Sequence, residues 1–278
     1  TEQIDIPGVP KPNYGAQQLF TSGIITGTNI GYIYGWGWFW NAETEFQNAV
    51  QALAQTDALI IDFRMNYGGN MFLSNAGLGR LFPSSVSTID FAGRCSPSIH
   101  NQMCPFNISN TYIIPGGSPG YTRPIAVLVG PGAVSSGDQV ALRMKYHPYA
   151  RFFGKSTTAA FNAPSTVDLG NPDFYFRYAR VDAYQLSGPD VYLTHEELPV
   201  DEEVWLTTSS VAQGKDNVVD SALRWIESVV TSKDENPTLT PNAFELFQNY
   251  PNPFNPTTEI KFSVAENGRA TLEVFNIL

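Results

Sequence analysis

Hydrophobic positions along the chain change period several times, and each change predicts an element. Ile24-Ile25 and Ile30-Gly31-Tyr32-Ile33-Tyr34 are rich in β-branched and aromatic residues and predict strands. After Asn41, residues Phe46, Val50, Leu53 and Ala54 recur at the spacing of one helix face. Ala58 to Phe63 is almost unbroken in apolar side chains, the pattern of a strand buried on both faces of a parallel sheet. Asn66-Tyr67-Gly68-Gly69-Asn70 follows, then a helix expected from Phe72 to Leu81. Ile125 to Val129 is a second buried strand, leading through the Gly130–Gly137 loop into a helix from Asp138 to Lys145. Ala150 to Gly154 predicts a short third strand.

Elsewhere the pattern is weaker. Residues 84–122 are irregular, rich in Ser, Pro and Gly, and residues 174–186 alternate loosely enough for antiparallel strands. Val218, Ala222, Trp225 and Val229 share one face of an amphipathic helix from Val218 to Val230, with Asp216 or Asn217 as its cap. Strands alternating with helices indicate an α/β class with a largely parallel sheet. The expected organisation is an extended lead-in over residues 1–22, a core over 23–232, a polar linker over 233–243 and a second segment over 244–278. That last segment contains two alternating stretches, Glu259 to Val264 and Ala270 to Phe275, which predict the opening of a small β-sandwich.

Composition narrows the function classes. Sixteen basic against twenty-six acidic residues give a net charge of −10, which disfavours phosphate backbones and hence nucleic acid as a partner. No apolar run approaches the roughly 20 residues of a membrane helix. The 278 residues are 42% hydrophobic and only 15% charged, with 23 glycines and 20 prolines, which suits a loop-rich extracytoplasmic protein. The chain opens at Thr1 without a leader and stops within the apolar run Val274 to Leu278, so it is expected to be a fragment. Cys95 and Cys104 stand among Ser, Pro and Asn and predict a disulfide rather than a metal site.

Two loops are placed to carry chemistry. In Gly130 to Asp138, Ser135 stands between a buried strand and a helix N-terminus, whose free N–H groups would stabilise an oxyanion. Helix capping by Ser136 or Asp138 is the plainer reading of the same loop. The paired Gly68-Gly69 either makes a tight turn or lets backbone N–H groups approach a ligand closely. The aromatic run Tyr32, Tyr34, Trp36, Trp38, Phe39 and Trp40 fits core or the wall of a groove.

Asp62, Arg64, Asn66, Gly68 and Gly69, followed by Val134-Ser135-Ser136-Gly137-Asp138, resemble the hallmark segments of the tail-specific, or C-terminal processing, serine peptidases. Gly154-Lys155-Ser156-Thr157 resembles that family's next motif, and Pro199 to Val204 with Gly214-Lys215-Asp216 its closing segment. The resemblance covers residues 23–230. It implies a crotonase/ClpP-like βαβ spiral core and a peptide or protein substrate, with no cofactor or metal. It makes Ser135 the nucleophile, with the Gly68–Gly69 loop and the Ser136 N–H as oxyanion donors. Many members carry a lysine base, and that position falls on Ala160 here. The proton acceptor is therefore expected upstream of Thr1, or from His195 with Glu196, or from Lys155, and the fragment alone is expected to be a weak catalyst. No segment of residues 1–278 is expected to form the PDZ-like domain that many relatives carry. A pseudo-peptidase that binds peptides without turnover is the alternative. An α/β-hydrolase esterase using Ser135, Asp168 or Asp190, and His195 is a third reading.

Phe247-Gln248-Asn249-Tyr250-Pro251-Asn252-Pro253-Phe254-Asn255-Pro256-Thr257-Thr258 resembles the start of bacterial C-terminal sorting domains. That implies export through outer-membrane secretion machinery to the cell surface or medium.

Overall fold

The computed structural model describes residues 3–4, 18–96, 98–105, 113–117, 119–171, 173–185, 193, 196–234, 245–246, 260, 262–263 and 271. Most of the lead-in and all of Phe247–Thr258, together with Asp190 and His195, lie outside the described residues. The chain divides into two compact units, 1–228 and 229–278.

In chain order the first elements are β1 (Gln3–Ile4), β2 (Phe20–Ile25), β3 (Ile30–Gly35), α1 (Ala42–Ala52), β4 (Ala58–Asp62) and α2 (Met71–Leu78). Then come β5 (Val86–Ser87), β6 (Ile89–Ser96), β7 (Ile99–Pro105), β8 (Ile113–Ile114), β9 (Ile125–Val129), α3 (Ser136–Met144) and β10 (Ala150–Gly154). The remainder are β11 (Pro164–Asn171), β12 (Phe174–Ala179), β13 (Asp182–Gln185), β14 (Glu202–Glu203), α4 (Thr208–Ala212), α5 (Asn217–Asp234), β15 (Glu245–Leu246) and β16 (Phe262–Ser263).

The main sheet runs β1-β2-β3-β4-β9-β10-β14 and is parallel except for the β2–β3 pair. Every residue of β4 and β9 is buried, as continuous apolar runs require when helices cover both faces. Ile61 pairs with Val127, and Val127 with Phe152, so β4, β9 and β10 end at one edge. The loops after β4 and β9 therefore meet where open α/β sheets place their sites.

The irregular middle is a correction. Residues 89–105 form the β6–β7 hairpin, extended by β13 across Ala183↔Phe91, and Cys95 and Cys104 form a disulfide with Cα atoms 5.0 Å apart. Gly93 and Arg94 break the alternation that Ile89 and Phe91 begin, and β13 pairs from far along the chain. Local pattern could not reveal such pairing. Helix α2 ends at Leu78, short of the expected Leu81, because Leu81 and Phe82 turn into the core. The hairpin β11–β12 pairs only with itself, and Leu169, Phe174 and Phe176 stand exposed on it. In the second unit, β15 pairs antiparallel with β16. No helix among the described residues is long and apolar enough to cross a membrane.

Candidate active site

The frame is a buried ion triad. Arg64, at the end of β4, donates to Asp62 (Nη2–Oδ2 2.6 Å) and to Asp216 (Nη1–Oδ1 2.9 Å, Nη2–Oδ2 2.8 Å). Asp216 also caps α5, accepting the N–H groups of Val218 and Val219. Asp62 takes a further hydrogen bond from the Tyr32 hydroxyl at 2.7 Å. Burial, and next the neighbouring Asp62 carboxylate, hold Tyr32 well above its ordinary range, so it donates at any working pH. Burial works against the charge on Arg64, but the two carboxylates outweigh it and keep the guanidinium more firmly charged than a free one. The triad ties the start of the glycine loop to the start of α5.

Asn66 is the next fixed point. Its Nδ2 donates to the Gly35 carbonyl (3.1 Å), its Oδ1 accepts the Gly68 N–H (3.3 Å), and its carbonyl accepts the Val134 N–H (3.0 Å). Gly137, in the first turn of α3, packs so tightly on the Asn66 carbonyl that a β-carbon there would collide with it. The glycine loop and the serine loop are thus locked together through one residue.

Against this lock sits Ser135. It is half-buried at the N-cap of α3 with φ 59° and ψ −121°, a strained conformation for a non-glycine residue, and its side chain caps nothing. Gly68, at φ 103°, lies directly beside it: a β-carbon there would stand 2.9 Å from Ser135 Cβ and 2.8 Å from the Val134 carbonyl. Trp38 donates its N–H to Gly68 O (2.8 Å) and accepts from Asn70 N–H (2.7 Å). In such a parallel ladder the backbone groups of the intervening Gly69 point the opposite way. The Gly69 carbonyl accordingly accepts the Ser136 hydroxyl at 2.8 Å, which places the Gly69 N–H on the α3 side. Ser136 N–H is one of the unpartnered donors of a helix start. Neither N–H has a partner among the described residues. The Gly68 N–H, by contrast, is already engaged by Asn66.

Asp138 closes the serine loop from behind. It accepts the N–H groups of Ala159 (3.0 Å) and Ala160 (3.2 Å). Burial pushes this carboxyl up to about 6, against the opposing pull of those donors. The 157–160 strap is thereby held to α3, with Thr158 bonding the carbonyls of Ala133 and Pro131.

Of the other residues singled out in the sequence, Lys155 and Glu196 are exposed, and no hydrogen bond or ion pair joins either to Ser135. His147 is buried with Nε2 on the Leu81 carbonyl and Nδ1 accepting the Tyr149 N–H, a core histidine whose pKa burial lowers. Asp168 lies exposed on β11, where it accepts only the Gly170 N–H of its own turn. Sequence reasoning missed the Arg64–Asp216 pair, the Asn66 lock and the Asp138 staple. Gly137 was the available signal for the second of these.

The sequence profile of peptidase family S41 matches residues 29–200. Among solved structures, the fold is similar to a Parabacteroides merdae protein at 18% identity and TM-score 0.63, over 75% of this chain and 64% of that one. It is similar to mature CPAF at 14% identity and TM-score 0.61, over 76% and 53%. A photosystem II D1 C-terminal processing protease aligns at 18% identity and TM-score 0.51, over 66% and 47%. The chain thus spans between 47% and 64% of the length of these structures. No curated protein sequence matches it.

Proposed function

The chain belongs to peptidase family S41, and from that membership we propose that it is a serine endopeptidase acting on protein or peptide substrates. The observation that carries this reading is the strained Ser135 packed against Gly68 beside the Gly69 and Ser136 N–H groups, which have no partner among the described residues. In the proposed reaction the Ser135 hydroxyl loses its proton to a base and its oxygen bonds to the scissile carbonyl carbon. The carbonyl oxygen becomes an oxyanion held by the Gly69 and Ser136 N–H groups. Collapse breaks the C–N bond, the leaving amine takes up the proton, and water then hydrolyses the acyl-enzyme. The resemblance puts Ala160 where many members of the family carry a lysine base, and on that reading turnover is proposed to be slow.

The test is labelling by a fluorophosphonate probe. The protein should label slowly and at Ser135, with Ser135→Ala silent. Gly68→Ala should also lose labelling, because its β-carbon displaces Ser135 and the Val134 carbonyl. Folded protein that never labels and never cleaves a denatured protein would favour the peptide-binding alternative instead.

The Phe247–Thr258 motif further supports a reading in which the protein is exported through outer-membrane secretion machinery and acts at the cell surface or beyond. The Cys95–Cys104 disulfide fits an oxidising compartment. In intact source cells, added protease should degrade the surface-held protein. Complete protection until lysis would refute export.

A further inference from the structure

The aromatic run after β3 is split by the structure. Trp36 and Trp38 turn into the core, and the Trp36 Nε1 is committed to the Gln18 carbonyl at 3.3 Å. Tyr67 stacks on Trp36 from outside, with ring centroids 5.2 Å apart and planes 18° apart. Phe39 packs against Tyr67 at 5.4 Å, and Trp40 against Phe39 at 6.1 Å. The outer members are open to solvent: Tyr67 is 42% exposed and Trp40 74%. Trp40 also holds φ 46°, an outlier for a bulky side chain, so the backbone is bent at the point where its indole stands in water.

This shelf is continuous with the oxyanion loop. Tyr67 immediately precedes Gly68, whose backbone touches Ser135, and the Tyr67 N–H is pinned to the Trp36 carbonyl at 3.0 Å. A chain whose scissile carbonyl sat at Gly69 and Ser136 would lie beside the backbone segment that carries Tyr67. Resting on the peptidase reading above, we propose that Tyr67, Phe39 and Trp40 form a subsite that takes an aromatic side chain of the substrate flanking the scissile bond. A flat ring completes the stack by offset or edge-on packing, which an aliphatic side chain of equal area matches less well. The rigid Trp36 beneath means the shelf is formed before substrate arrives.

The experiment measures binding, which does not need turnover. Ser135→Ala protein is titrated by fluorescence anisotropy with a short fluorescein-labelled Gly/Ser peptide carrying one Phe, and with its Leu and Ala counterparts. The Phe peptide should bind tightest, and Tyr67→Ala or Trp40→Ala should each weaken it by about tenfold while leaving the Ala peptide unchanged. Near-ultraviolet circular dichroism confirms that these variants of exposed residues stay folded. Equal affinity for the three peptides, or equal losses for all three in the variants, overturns the shelf. Binding of cello-oligosaccharides with no peptide binding would make it a sugar platform and also overturn it. Fluorophosphonate labelling of the unsubstituted protein reads the peptidase assignment separately: labelling with flat peptide selectivity sinks the shelf alone, and loss of both sinks the reading beneath it.

Discussion

Replacing Ala160 by lysine should raise Ser135-dependent peptide hydrolysis by two orders of magnitude or more. A serine hydroxyl attacks poorly until a base takes its proton, and a well-placed base contributes about 10²–10⁴ in rate. Ala160 donates its N–H at 3.2 Å to Asp138, which lies in the first turn of the helix that Ser135 opens. A lysine there would carry its amine on the strap that this carboxylate holds against the serine loop. Ala160 is only half-buried, so the longer side chain has room. The ammonium must lose its proton to act, so the gain should appear on the alkaline side, rising with pH as the new lysine deprotonates. The measurement is hydrolysis of a denatured protein by wild type, Ala160→Lys and Ala160→Lys with Ser135→Ala. A wild type already as fast as the lysine variant would mean that a base reaches Ser135 from residues outside those described, His195 among them.

What was legible in the sequence and what was not follows from distance along the chain. Buried apolar runs mark β4 and β9 directly, and two such runs with loops at their carboxyl ends predict adjacent parallel strands, as Ile61↔Val127 shows. The meeting of Gly68 with Ser135 was written in glycine placement, because only residues without a β-carbon allow that approach. Arg64 and Asp216 stand 152 positions apart, and nothing local distinguishes Asp216 from an ordinary helix cap. Asp138 reads in the sequence as a candidate helix cap, and in the structure it holds a second loop. The β6–β7 hairpin hid behind polar side chains, since its stability comes from a disulfide and from β13 rather than from alternation. Trp36 and Trp38 kept their alternation beyond β3 by pairing with the glycine loop, which no strand pattern at 67–70 announced.

The largest expected loss of stability belongs to the ion triad. Arg64→Met should cost about 3–5 kcal/mol, because it strands two carboxylates in a site where Arg64 is 1% exposed and Asp62 fully buried. Each carboxylate keeps some partners: Asp62 the Tyr32 hydroxyl, Asp216 the N–H groups at the start of α5. Those donors temper the loss without supplying the missing charge. At roughly 2–4 °C per kcal/mol for a unit of this size, the melting temperature should fall by about 6–20 °C. The surface pair Arg151–Glu202, at 3.9 Å and well exposed on both sides, is the internal comparison: Glu202→Gln should cost no more than about 1 kcal/mol. Salt separates the two further, since it screens the exposed pair and barely touches the buried one. Calorimetric melts of both variants at low and high ionic strength make the measurement. The glycine loop begins at Arg64, so fluorophosphonate labelling of Ser135 should weaken in Arg64→Met even well below its melting point. A variant that melts lower yet labels at the wild-type rate would confine the triad to holding α5, and the positioning of the glycine loop would rest on Asn66, Trp38 and Ser136.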